Sequence, residues 1–279
     1  MSMGDPPVAL PHRRTGDRRV ALLEFPMNAN ALSHLRSPKF HLGTWLSIGS
    51  PVIAELAGLC GFDWLLLDLE HGCGGEASLF QNLQALRGSC SAVIVRVGAP
   101  HPDLIQRVLD WGADGVMIPH VDTAEIAREC VRCVRFPPQG RRGYSRSVRT
   151  CGYGLNVPDA PAQPLVLAQI ESEEAVANAR AIAEIDGVDV LFVGPADLAF
   201  DLKASGSKRT YDSCLADVAA AARATGRQAG ILCRNEKEIE SLSSQGFTFQ
   251  AVDSDVAVLR QRYLDLVSRY IAHGHPSQA

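Results

Sequence analysis

Short, strand-like, largely apolar runs alternate along this chain with longer segments of helical periodicity. The runs are Leu42 to Ser47, Trp64 to Asp68, Ala92 to Val97, Gly115 to Pro119, Leu165 to Ile170, Val190 to Val193, Ala229 to Leu232 and Phe249 to Val252. They are too short for helices, and they lack the in-out alternation of a half-exposed strand. They read as strands buried on both faces, the pattern of a parallel sheet. Helices fit the intervals 51–60, 76–87, 102–112, 123–135, 173–185, 212–225, 235–244 and 254–272. Eight alternations predict a single α/β domain, a (β/α)8 TIM barrel over residues 25–272. Crossover helices between parallel strands favour this winding, and a closed ring leaves no strand edge.

Outside that span the pattern fades. Residues 1–24 carry three prolines and the arginines Arg13, Arg14, Arg18 and Arg19, and are expected to be a flexible basic tail. Residues 273–279 are expected to form a C-terminal tail. Two internal stretches also depart from the alternation. A Gly/Pro/Arg-rich insertion runs from Phe136 to Gln163, and ordered loops of that length are usually functional. The linker Ala204 to Tyr211 is expected to serve as a flap over the site.

Ligands bind at the carboxyl ends of the strands in such barrels. Four runs deliver chemistry there: Asp68, Glu70 and His71 follow the second, Arg96 closes the third, Gln169 and Glu171 end the fifth, and Asp197 follows the sixth. Glu171 and Asp197 end successive strands beside the small-residue loop Gly194, Pro195 and Ala196. Two carboxylates with open positions suit a hard divalent cation, Mg2+ or Mn2+. An imidazole at His71 can exchange a proton near neutral pH. A guanidinium after four apolar residues needs an anion beside it, either substrate or the carboxylates Asp68 and Glu70.

Composition narrows the classes. A net charge of −4 argues against nucleic acid as the main partner, and no run resembles a membrane span. Eight scattered cysteines without a signal peptide point to a reducing cytoplasm. Cys130 and Cys133 form a lone CxxC pair in a helical pattern, so helix packing is expected of them. The four lysines, Lys39, Lys203, Lys208 and Lys237, all lie outside the predicted strands and away from their immediate ends, leaving no obvious Schiff-base residue. Nucleotide-binding glycine motifs and a GxSxG elbow are absent.

Taken in order, GTWLSIGSP, GFDWLLLDLEHG, LDWGADGVMIPHV, RFPPQGRRG, QIES, GVDVLFVGPADL and GILCRNE resemble the metal-dependent HpcH/HpaI aldolases over about residues 26–268. The resemblance implies a pyruvate-binding barrel in which Glu171 and Asp197 hold a divalent cation (Mg2+, Mn2+ or Co2+). Arg96 would brace the enolate oxygen, and His71 and Asp110 would form a proton-transfer dyad. Gln169 and Ala196 would lie against pyruvate. The implied reaction is reversible cleavage of a 4-hydroxy-2-oxo acid into pyruvate and an aldehyde. Oxaloacetate decarboxylation on the same scaffold, and a non-catalytic oxo-acid-binding barrel, stay open as alternatives. The resemblance also implies a homo-oligomer, a hexamer built as a trimer of dimers, for which Val256 to Ile271 has the amphipathic spacing. Where the loop Ser145 to Gly154 is richer in arginine than the family's, Arg146, Arg149 or Arg234 is expected to recognise an acidic aldehyde.

Overall fold

The computed structural model describes residues 29–159 and 162–272; the expected tails at 1–24 and 273–279 lie outside them. Eight parallel strands close in sequence order into a barrel. They are β1 (His41–Leu46), β2 (Trp64–Asp68), β3 (Ala92–Arg96), β4 (Gly115–Ile118), β5 (Leu165–Ile170), β6 (Val190–Val193), β7 (Gln228–Cys233) and β8 (Phe247–Ser254). The helices are α1 (Ala29–Leu35), α2 (Pro51–Leu59), α3 (Glu76–Ala85), α4 (Pro102–Asp110), α5 (Ala124–Val134), α6 (Glu173–Ala177), α7 (Ala179–Ala183), α8 (Pro195–Ala204), α9 (Tyr211–Thr225), α10 (Glu238–Ser244) and α11 (Asp255–Ala272). Among the described residues, no helix is long and apolar enough to cross a membrane.

Alternate strand residues divide the core in two. Leu65, Leu67, Val93, Val95, Val116, Leu191 and Val193 pack outward against the helices. Trp64, Leu66, Ile94, Met117, Leu167, Phe192 and Phe249 fill the interior, where Trp64 stacks on Phe249 with ring centroids 4.6 Å apart. Gly43 makes room for that filling: a Cβ there would meet the Trp64 ring at 2.2 Å. Helix α1, which the apolar pattern does not announce, plugs the floor by inserting Leu32 and Leu35 into the inner cluster.

A repeated Gly-x-Asp device sets the register at the floor. Asp63, Asp114 and Asp189 precede β2, β4 and β6, each two residues after a left-handed glycine, Gly61, Gly112 or Gly187. Each aspartate donates its amide to a carbonyl at the start of the preceding strand and accepts that same residue's amide on its carboxylate. The carboxylate bonds run from Leu42, Val93 and Val166 at 2.8, 2.8 and 2.9 Å. The eighth strand keeps the glycine, Gly246, without the aspartate.

Two expectations change. The 173–185 interval is two short helices meeting at Asn178. The stretch Gly194, Pro195 and Ala196 is a helix start and not a loop: Gly194 caps α8, Pro195 occupies its first position, and Leu198 and Leu202 bury its inner face. The linker Ala204 to Tyr211 keeps its expected place, between the end of α8 and the start of α9. The insertion before β5 carries a short 3-10 turn at Arg149–Gly154 and packs under the floor, where Arg149 donates to the carbonyls of Trp111 and Leu83 at 2.6 and 3.0 Å. Cys130 and Cys133 are buried on α5, and burial pushes the Cys130 thiol up to about 12, which fits packing.

Candidate active site

The upper rim is organised around Asp68 and Arg96, neighbours across the β2–β3 pairing. Arg96 donates from Nε to Asp68 Oδ1 at 2.9 Å and from Nη2 to Oδ2 at 2.6 Å, and its Nη1 lies 2.8 Å from Glu70 Oε2. Trp45 lies against the guanidinium and donates its indole N–H to Asp68. The amides of Glu70 and His71 also close on Asp68 Oδ1, and this turn carries Glu70 back over the barrel mouth. Burial pushes the Asp68 carboxyl up, but Arg96 and the two amides outweigh it and hold it below its ordinary value. Burial likewise opposes the Arg96 charge, and Asp68, Glu70 and Glu171 more than restore it. A guanidinium has five N–H donors, and the hydrogen bonds to Asp68 use two of them.

Glu171 stands just past β5 and is 4% exposed. Gln169 Nε2 donates to its Oε1 at 2.8 Å, and the His120 amide donates to its Oε2 at 3.1 Å. Gly194 presses on the same carboxylate. A Cβ at that position would lie 2.4 Å from Oε1, so glycine is what lets α8 begin here. Burial raises the Glu171 pKa, His120 works against that rise, and the charges of Glu70 and Asp197 add to it. Asp197 is exposed in the first turn of α8.

Asp68, Glu70, Glu171 and Asp197 thus gather on one part of the rim, with Arg96 as the guanidinium among them. The excess negative charge, the all-oxygen donor set of Glu171 and Asp197, and the buried, partnerless Gln169 Oε1 fit a hard divalent cation with open positions.

Of the residues singled out from the sequence, Arg96, Gln169, Glu171, Gly194 and Asp197 come together, and Pro195 and Ala196 shape the helix start beside them. His71 sits at the solvent edge, its Nε2 3.9 Å from Glu70. Asp110 does not join it. As the last residue of α4 it lies at the floor, where Arg142 binds its Oδ1 at 2.6 Å. A five-residue strand spans about 15 Å, so the expected dyad does not form within one chain. Arg149 is committed to floor carbonyls for the same topological reason, which removes it from this chain's own rim, whereas Arg234 follows β7 at the upper end.

Sequence reasoning passed over one rim residue. His120 follows β4 with a left-handed φ of 53° and places its imidazole 3.6 Å from Glu70 and 3.5 Å from Glu171. Its signal was the position, two residues past the apolar GVMI run. A neighbouring proline, which reads as the end of the run, hid it.

A profile of the HpcH/HpaI aldolase/citrate lyase family matches residues 41–261. The chain is 40% identical to the 5-keto-4-deoxy-D-glucarate aldolase of Klebsiella pneumoniae over 232 residues, which cover 81% of this chain and 90% of that protein. A solved HpcH/HpaI aldolase/citrate lyase family protein from Burkholderia cenocepacia superposes with a TM-score of 0.81 at 33% identity, covering 87% of this chain and 99% of the other. An HpcH/HpaI aldolase from Desulfitobacterium hafniense gives 0.77 at 26%, covering 91% and 99%. Shared sequence over most of both chains, the closed barrel and the acidic rim lead to one conclusion: this chain belongs to the HpcH/HpaI aldolase/citrate lyase family and is an aldolase-type carbon–carbon lyase.

Proposed function

We propose that the protein reversibly cleaves a sugar-acid-derived 4-hydroxy-2-oxo acid into pyruvate and an aldehyde. 5-Keto-4-deoxy-D-glucarate, the compound that names the Klebsiella relative, is the first candidate. The observation that carries this reading is the buried Glu171, held against Gln169 and Gly194 within reach of the Arg96 charge.

Glu171 and Asp197 would hold a divalent cation, Mg2+, Mn2+ or Co2+, which when bound supplies positive charge to the 2-oxo acid and to the enolate formed from it. Arg96 is held in place by Asp68 and Glu70, so its charge would be preorganised to meet negative charge developing at the rim. His71, exposed at the edge, takes the 4-hydroxyl proton as the C3–C4 bond breaks. His120 holds Glu171 through its amide and adds a second imidazole to the rim.

The free thiols of all eight cysteines suit a reducing cytoplasm. We also propose a homo-oligomer, in keeping with the expected hexamer: α11 leaves Val256, Tyr263, Leu264, Val267, Tyr270 and Ile271 exposed along one helix. Any pairing of His71 with Asp110 would then cross between copies.

Pyruvate release from a panel of 4-hydroxy-2-oxo acids, before and after EDTA and on return of each cation, tests the reaction. Turnover should vanish with chelation and return with metal. Full activity in EDTA, or inactivity with all three cations, defeats the proposal.

A further inference from the structure

We propose a second metal site, structural in role, beneath the barrel floor, where His34, His41 and Asp63 hold a Zn2+ ion. The three residues belong to different elements: α1, the first position of β1, and the residue before β2. One ligand atom from each lies within 4.8 Å of the other two. His34 Nε2 is 3.3 Å from Asp63 Oδ1, and the two imidazoles meet edge to face with centroids 4.9 Å apart.

His41 supplies an independent sign. It is 0% exposed, and its Nε2 lies 3.0 Å from the Ser37 carbonyl. A carbonyl only accepts, so Nε2 carries the proton and Nδ1 keeps a lone pair. That Nδ1 is buried and has no partner. Buried polar atoms are almost always satisfied, and an orphaned lone pair on an imidazole that packs against a second imidazole in a cluster with a carboxylate is what a metal would occupy.

The outer contacts already orient the set. The Ser37 carbonyl fixes the His41 ring, and the Leu42 amide binds Asp63 Oδ2 at 2.8 Å, leaving Oδ1 toward His34. Two imidazoles and one carboxylate suit Zn2+, with a fourth position open to water on the exposed His34 side. The ion would fasten α1, whose Leu32 and Leu35 stopper the barrel, to the first two strands.

The Glu171→Gln/Asp197→Asn double variant isolates this site, because it removes both carboxylates assigned to the rim cation. Titrated with Zn2+ under reducing conditions, the purified double variant should bind one ion per chain and unfold at a higher temperature with zinc than without. Adding His34→Ala, at a half-exposed position, should weaken that binding at least tenfold and abolish the thermal shift; Asp63→Asn should do the same. His34→Ala in the otherwise intact chain should leave Mg2+-supported aldol cleavage unchanged, which keeps this test separate from that of the rim. Absence of zinc binding in the double variant, or binding that survives His34→Ala, overturns the site.

Discussion

The two ends of this barrel distribute their carboxylates differently. At the floor, Asp63, Asp114 and Asp189 each stand at the foot of a different strand and each accepts a backbone amide, so the charge is spread and satisfied by the fold. At the upper rim, Asp68, Glu70 and Glu171 crowd around Arg96, and Glu171, with the charges of Glu70 and Asp197 beside it, is pushed toward its protonated form. Amide bonds at the floor are local and repeatable, and their work is register. Crowding at the rim raises the energy of the carboxylates there, and positive charge beside them would lower it. The difference identifies which end performs chemistry before any substrate is considered.

The largest expected effects lie at the rim. Arg96→Lys keeps the positive charge but cannot reproduce the fork that grips Asp68 through Nε and Nη2 while reaching Glu70. It should lower kcat by about 10²–10³-fold, the usual cost of one misplaced charge-stabilising donor, with circular dichroism and thermal unfolding close to wild type. Arg96→Ala is a blunter probe, since orphaning two buried carboxylates costs about 3–5 kcal/mol of stability. Wild-type turnover in Arg96→Lys would remove the guanidinium from the mechanism.

The floor should answer differently. Asp114→Ala and Asp189→Ala each leave a strand-starting amide without its acceptor, a loss of about 1–3 kcal/mol. Activity per folded molecule should stay near wild type, because both residues lie a full strand length from Glu171. Urea unfolding paired with active-site titration separates the two quantities. A large drop in kcat with unchanged stability would show that the two ends are not independent.

The strands were legible because burial on both faces writes a continuous apolar run, and β2, β5 and β6 coincide with their predicted limits. Glu171, Arg96 and Asp197 were legible because chemistry at a strand end interrupts or follows such a run. Helix α8 was missed because glycine and proline in GPADL read as a loop, although proline at a first helical position followed by an acid is itself a start signal. The Asp110 assignment failed within one chain for a topological reason. Resemblance supplies a residue's company but not which rim its helix end reaches, and α4 runs from the rim down to the floor before Asp110 appears. His120 is set by a left-handed backbone turn, which no local composition announces.

The smallest effect concerns pH, and it tests the contrast most directly. Asp68 is held below its unfolded pKa, so its contribution to stability is present above the ordinary aspartate value of about 3.9 and is lost as pH falls through its lower folded value. Glu171 is raised, so its contribution has the opposite sign. It is present below the ordinary glutamate value of about 4.3 and is lost as pH rises through its higher folded value. Glu171→Gln removes only the second dependence. Whatever fixed change the amide brings in hydrogen bonding to Gln169 and His120, the metal-free variant should gain on wild type as pH climbs above about 4.3, and saturating Mg2+ should shrink that gain by stabilising wild type alone. Urea unfolding in EDTA across this range reads the difference. A stability gap that does not change with pH would mean that Glu171 is as comfortable in the empty rim as the aspartates are at the floor.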